Sequence, residues 1–124
     1  MSTGIGIGIA GDTFQTRAGL ASGGGGASFL LDLYGAGIAA AYSVRKLSSS
    51  YTGAAIRVRE SSGNTEADIG FDADGNLDES ALTAHVGVND GFIVSWYDQS
   101  GKSNNATQST STRQMRVVSS GTID

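Results

Sequence analysis

A chain of 124 residues has room for one domain at most, and its 8 basic and 12 acidic residues give a formal charge of -4. That balance leaves neither the basic footprint that nucleic acid requires nor a polybasic patch for anionic lipid. No apolar run approaches the roughly 18 residues needed to span a bilayer, and the absence of cysteine excludes disulfides and thiolate metal sites. No nucleic acid, membrane or cofactor is therefore expected. Nineteen glycines and no proline, with the glycines concentrated before residue 38, divide the chain into an arm (1–22), a Gly-rich linker (23–28) and a body (29–124).

In the arm, residues 4–9 alternate Gly and Ile, which places Ile5, Ile7 and Ile9 on one face of a strand and bare backbone on the other. Glycine weakens a lone strand but lets a second backbone approach closely, so the pattern suits a docking strand added to another chain's sheet. A frayed terminus is the plainer alternative. Gly6, Gly8 and Gly11 match G-x-G-x-x-G, but no apolar strand precedes them and no amphipathic helix follows, so a dinucleotide site is not expected. Gly23 to Gly26 form a flexible hinge by composition, without the Lys and Ser/Thr that a phosphate loop needs.

In the body, Ala40, Val44, Leu47 and Tyr51 recur at helical spacing, which predicts a short helix ending among Ser48, Ser49 and Ser50. Ile56 and Val58 then alternate with Arg57 and Arg59, the pattern of a half-buried antiparallel strand with its arginines outward. A second strand is expected over 68–72, carrying Ile69 and Phe71, and Asp74-Gly75 signals a turn. Asp78 reads as the N-cap of a second helix, with Leu77 and Leu82 placed as a hydrophobic staple and Gly87 as the stop. The run from Phe92 to Tyr97 is the most apolar and is expected as the central strand, and Gln114 to Val118 as a last strand or edge. About four body strands fall short of the two packed sheets of a sandwich, so a missing layer has to come from chain beyond Asp124, from further copies or from a partner.

The segments AYSVRKL, YTGAAIRVRE, DIGFDADGNLD and WYDQSGKSNNATQ, in that order between Ala41 and Gln108, resemble the opening half of the catalytic domain of alpha-L-arabinofuranosidase B. The resemblance implies a mainly β fold, a partial concanavalin A-like sandwich with two short helices behind an extended Gly/Ile arm. Domains of this family are also found in virion proteins of tailed bacteriophages, and short Gly/Ile arms are similar to the starts of small virion proteins. The expectation is a virion structural protein, made in the host cytoplasm: a tail-fibre or head-fibre base held by its arm to other virion proteins, as a homo-oligomer such as a trimer. The alternatives are an appendage that binds a host surface glycan and a fragment of an arabinofuranosidase. In the family the catalytic carboxylate pair lies downstream of WYDQSG, so the resemblance implies no catalytic residue in this chain.

The acids Glu60, Glu66, Asp68, Asp90 and Asp98 sit mostly where turns and caps use a short acidic side chain, which explains them without a glycosidase pair. Asp72, Asp74 and Asp78, with Asn76 and Glu79, form an oxygen-rich cluster that is a weak calcium candidate. Gly75 stands at the fourth position where an EF-hand needs it at the sixth, and no acid stands at the twelfth. His85 is the sole histidine and has no second imidazole to complete a metal site, and no G-x-S-x-G elbow accompanies the serines. Trp96 and Tyr97, then Tyr42 and Tyr51, are candidates for stacking on a sugar, though strand aromatics more often pack a core. Asn105-Ala106-Thr107 matches a glycosylation sequon.

Overall fold

The computed structural model describes residues 28–124, so the arm with Ile5, Ile7 and Ile9 and nearly all of the linker lie outside the described residues. Six strands form one antiparallel sheet, backed by one helix. In chain order the elements are α1 (Leu30–Tyr34), β1 (Ile56–Glu60), β2 (Glu66–Ile69), α2 (Glu79–Val86), β3 (Gly91–Trp96), β4 (Ala106–Thr107), a single 3₁₀ turn (Ser111–Arg113), β5 (Met115–Ser119) and β6 (Thr122–Ile123). The strand order is β2-β1-β3-β5-β6, with β4 also pairing β3 beyond the end of β5. Among the described residues no helix is long and apolar enough to cross a membrane.

The alternation in β1 works as its sequence predicts. Ile56 and Val58 are fully buried and lie opposite Ile69 and Ala67 of β2, while Arg57 and Arg59 face the other side. β3 is the central strand, paired on one edge with β1 and on the other with β4 and β5. Register shifts between Arg57 and Val58 and between Gly91 and Phe92 bend the sheet and keep Ile93 on the buried face. α2 covers that face: Leu82 and Val86 are buried with Ile56, Val58, Ile69 and Val118. Gly91 sits where the helix crosses, and a Cβ there would come within 2.9 Å of Val86 Cγ2, so the close approach depends on glycine.

Local rules account for α2. The Asp78 carboxylate accepts from the Ala81 amide at 2.9 Å, and Gly87, at φ 63°, ends the helix with its amide on the Thr83 carbonyl. His85, in the last turn, donates from Nε2 to the Val58 carbonyl at 3.1 Å, tying the helix to β1.

Three expectations require correction. The segment 40–51 is not helical but irregular, with a bend and a turn, because its backbone groups are bonded by side chains distant in sequence. The first of the two helices is instead α1, whose Asp32 side chain accepts from the amides of Phe29 (3.3 Å) and Ser49 (2.9 Å). β2 ends at Ile69, and Phe71 contributes an isolated bridge to Leu77 around the Asp74-Gly75 turn. The residues after Val118 form a tight hairpin: Ser119 pairs Thr122 across Ser120 and Gly121, whose φ values of 48° and 82° make a two-residue turn of the primed type.

Candidate functional site

Tyr97, Asp98, Gln99 and Ser100 leave the end of β3 and turn back toward residues 38–47. Asp98 is 4% exposed, and its carboxylate accepts from the amides of Ala41 (2.8 Å), Ser100 (2.8 Å) and Asn104 (3.0 Å) and from the Ser100 hydroxyl (2.8 Å). Burial alone would push its pKa up, but the bonds to Ser100, Ala41 and Asn104 outweigh it and hold the group at about 2. Gln99, 2% exposed, behaves as a piece of mock strand. Its Oε1 accepts from the Leu47 amide at 2.8 Å, and its Nε2 donates to the carbonyls of Ser43 (3.0 Å) and Arg45 (2.9 Å). Its own amide donates to the Ala41 carbonyl at 2.8 Å. Asn104 and Lys102 add bonds to the carbonyls of Ala39 (2.7 Å) and Ile38 (3.1 Å), and the Tyr42 hydroxyl donates to the Asn104 carbonyl. The DQS motif and the AYSVRKL segment are therefore two halves of one clamp.

Glu60, at the end of β1, is 6% exposed and caps the β1–β2 hairpin. It accepts from the Ser62 hydroxyl and amide, both at 2.8 Å, from the Gly63 amide at 2.8 Å and from the Thr65 hydroxyl at 3.1 Å. These bonds, led by the Ser62 hydroxyl, hold it at about 2. On the outer face of the sheet, Arg57 grips Asp68 in a two-pronged pair (Nε–Oδ1 2.7 Å, Nη2–Oδ2 3.0 Å), and the Tyr97 hydroxyl donates to the same Oδ1 at 2.8 Å. The Arg57 bond lowers Asp68, while burial and the Asp68 contact push the Tyr97 phenol up.

The four carboxylates moved by their surroundings, Asp32, Glu60, Asp68 and Asp98, are all moved down. A glycosidase acid needs the opposite shift, upward, to hold a proton near neutral pH. Asp72 accepts from the amides of Asp74 (2.9 Å) and Asn76 (2.8 Å), and Asp78 caps α2, so the calcium candidates Asp72, Asp74 and Asp78 shape a turn and a helix start. Among the described residues no three His, Cys, Asp or Glu side chains converge on a metal-sized position.

Of the aromatics, Tyr97 is committed to Asp68, Tyr51 donates to the Ala54 carbonyl at 2.8 Å and packs edge-on against Phe71, and Tyr42 joins the clamp. Trp96 is half-buried, packs against the core, and also lines a shallow hollow of about 210 Å³ with Ile93, Ala106, Arg113 and Met115. Sequence reading missed Gln99 altogether. Its signal lay in its position between two clamp residues, not in its type.

Acid stability follows from the two buried carboxylates. Each has a folded pKa (about 2) below its ordinary value (4.5 for Glu60, 3.8 for Asp98), so its contribution is complete above the ordinary value and is lost as pH falls toward 2. The urea midpoint is expected to stay level from about pH 7 to 5 and to fall between about 4.5 and 2. Glu60→Gln and Asp98→Asn should each start less stable and fall less steeply. A native-like slope in both variants would contradict the assignment.

Residues 31–124 match the family model for "Alpha-L-arabinofuranosidase B, catalytic", which spans most of the chain and includes both halves of the clamp. The chain belongs to that family. Among solved structures, one described as a GH54 α-L-arabinofuranosidase soaked with a cyclic sulfate inhibitor is 35% identical, with a TM-score of 0.59, over 64% of this chain. The shared part is 18% of that enzyme's chain, so this arabinofuranosidase B-like chain corresponds to a small share of its neighbour's length. Comparison with curated proteins returned no match. The mainly β, partial-sandwich architecture expected from the resemblance agrees with this membership.

Proposed function

We propose that this chain is a structural member of the arabinofuranosidase B family, a half-sandwich scaffold whose work is assembly and not hydrolysis. The observation that carries the reading is the fate of the buried acids. Glu60 and Asp98 are saturated with bonds from their own neighbourhood and held at about 2, which suits anchoring and is wrong for proton donation to a glycosidic oxygen. α1, where the body begins, exposes Leu30, Leu33 and Tyr34, an apolar end suited to contact with a neighbouring polypeptide. The setting that fits the Gly/Ile arm is the particle of a tailed bacteriophage, with the chain at the base of a tail or head fibre, packed against other virion proteins or further copies of itself.

The test has two parts. The purified chain is expected to release no nitrophenol above background from p-nitrophenyl α-L-arabinofuranoside, and mass spectrometry of purified particles is expected to find it. Turnover that disappears in Glu60→Gln or Asp98→Asn would overturn the structural reading. A second reading, recognition of a glycan without cleavage, is favoured by the hollow beside Trp96.

A further inference from the structure

The hollow beside Trp96 combines features that the scaffold reading does not use. Its floor and walls are apolar, from Ile93, Trp96 and Met115, and Met115 is 56% exposed although Ile93 opposite it in register is buried. Ile56 lies opposite Trp96 in β1, and on its other side the β4 partner is Ala106, too small to cover an indole. At the rim stands Arg113, at the end of the 3₁₀ turn. Arg57 and Arg116 are each paired with a carboxylate, but Arg113 forms no ion pair among the described residues.

A volume of about 210 Å³ is below the roughly 300 Å³ at which drug-sized pockets begin, so the space suits one ring. An indole and an arginine lining one hollow offer it a flat apolar surface for ring C–H groups and a planar fork for a carboxylate. We propose that this hollow binds one uronic acid residue of an acidic polysaccharide, its ring against Trp96 and its carboxylate on Arg113. The proposal rests on the recognition reading and adds to it a site and a ligand charge.

Trp96 is the chain's sole tryptophan, so its emission reports the site directly. The intact chain would be titrated with a trisaccharide of glucuronic acid and, separately, with the neutral trisaccharide of glucose. The expected result is a saturable change with the acidic sugar at a Kd of about 1 mM, a scale appropriate to one stacked ring and one charged contact, and at least fivefold weaker binding of the neutral sugar. Arg113→Ala should bring the acidic sugar down to the neutral level. Arg116→Ala, whose arginine lies on the opposite face beside Phe92 and pairs with Asp124, should bind like the native chain. Equal binding of both sugars, or an unaltered Arg113→Ala titration, would overturn the proposal and leave glycan recognition standing. No saturable change with either sugar would overturn both.

Discussion

Asp98→Ala should lower unfolding stability by on the order of 3 kcal/mol, because it removes the acceptor for three backbone amides and a hydroxyl at a nearly closed site. Charge-assisted bonds are worth more than neutral ones, and amides left without a partner in a buried place carry a desolvation cost of their own. In a domain of this size that loss corresponds to a fall in Tm of roughly 10–20 °C, measurable by calorimetry. Asp98→Asn keeps one acceptor oxygen but turns an N–H2 toward a donor, so its loss should be intermediate. Because the bonds cross to Ala41, the damage should appear first in residues 38–47: amide exchange there should quicken more than in β3. A variant of native stability would show that the motif acid is not the anchor of the clamp.

Leu82→Ala should cost about 2–5 kcal/mol, the range for emptying a closed core site of three carbons. Leu82 and Val86 are the two buried residues of α2, and Leu82 is fully buried between the helix and the β1–β2 hairpin. The core is small, with Ile56, Ile69, Leu82, Val58, Val86 and Val118 as its largest fully buried side chains. Losing one of six from a domain whose net stability is of order 5–15 kcal/mol should leave a measurable unfolded fraction at 25 °C or an early urea transition. A cost under about 1 kcal/mol would mean that α2 is not the principal cover of the sheet. By contrast, Arg57→Ala removes a half-exposed, solvent-screened pair and should shift the urea midpoint far less than Leu82→Ala does.

The parts of the fold that were legible in the sequence are those whose causes are local. Asp78, Gly87, the alternation of Ile56 to Arg59 and the apolar run around Ile93 each state their structure within a few residues. The segment from Ala40 to Tyr51 shows the opposite case. Its apolar spacing fits a helix, but its backbone groups are taken by Asp98 and Gln99, 52 to 57 residues away, and no local pattern reports such partners. α1 leaves no periodic signal, being only five residues long with no buried side chain. The closing hairpin does carry a signal in Ser120-Gly121 followed by Thr-Ile, but the two-residue strand after that turn is too short to show an alternation.

The site divides in the same way. Asp98 was recognisable as part of a family motif for which the resemblance implies a structural role, but its partners emerge only when the Ala41 and Asn104 amides are seen converging on it. Trp96 was a candidate from its type; Arg113, which lines the same hollow, became visible only through the placement of the 3₁₀ turn near β4.

The central claim is that the buried carboxylates Asp98 and Glu60 serve the backbone and not a substrate. The direct measurement is a side-chain carboxyl titration of both residues by carbon-13 NMR in the intact chain. Both are expected to titrate at about 2, if the fold survives to that pH, and to stay ionised down to the acid transition. A midpoint for either residue above its ordinary value, toward neutral pH, would identify a proton-holding acid and contradict the account.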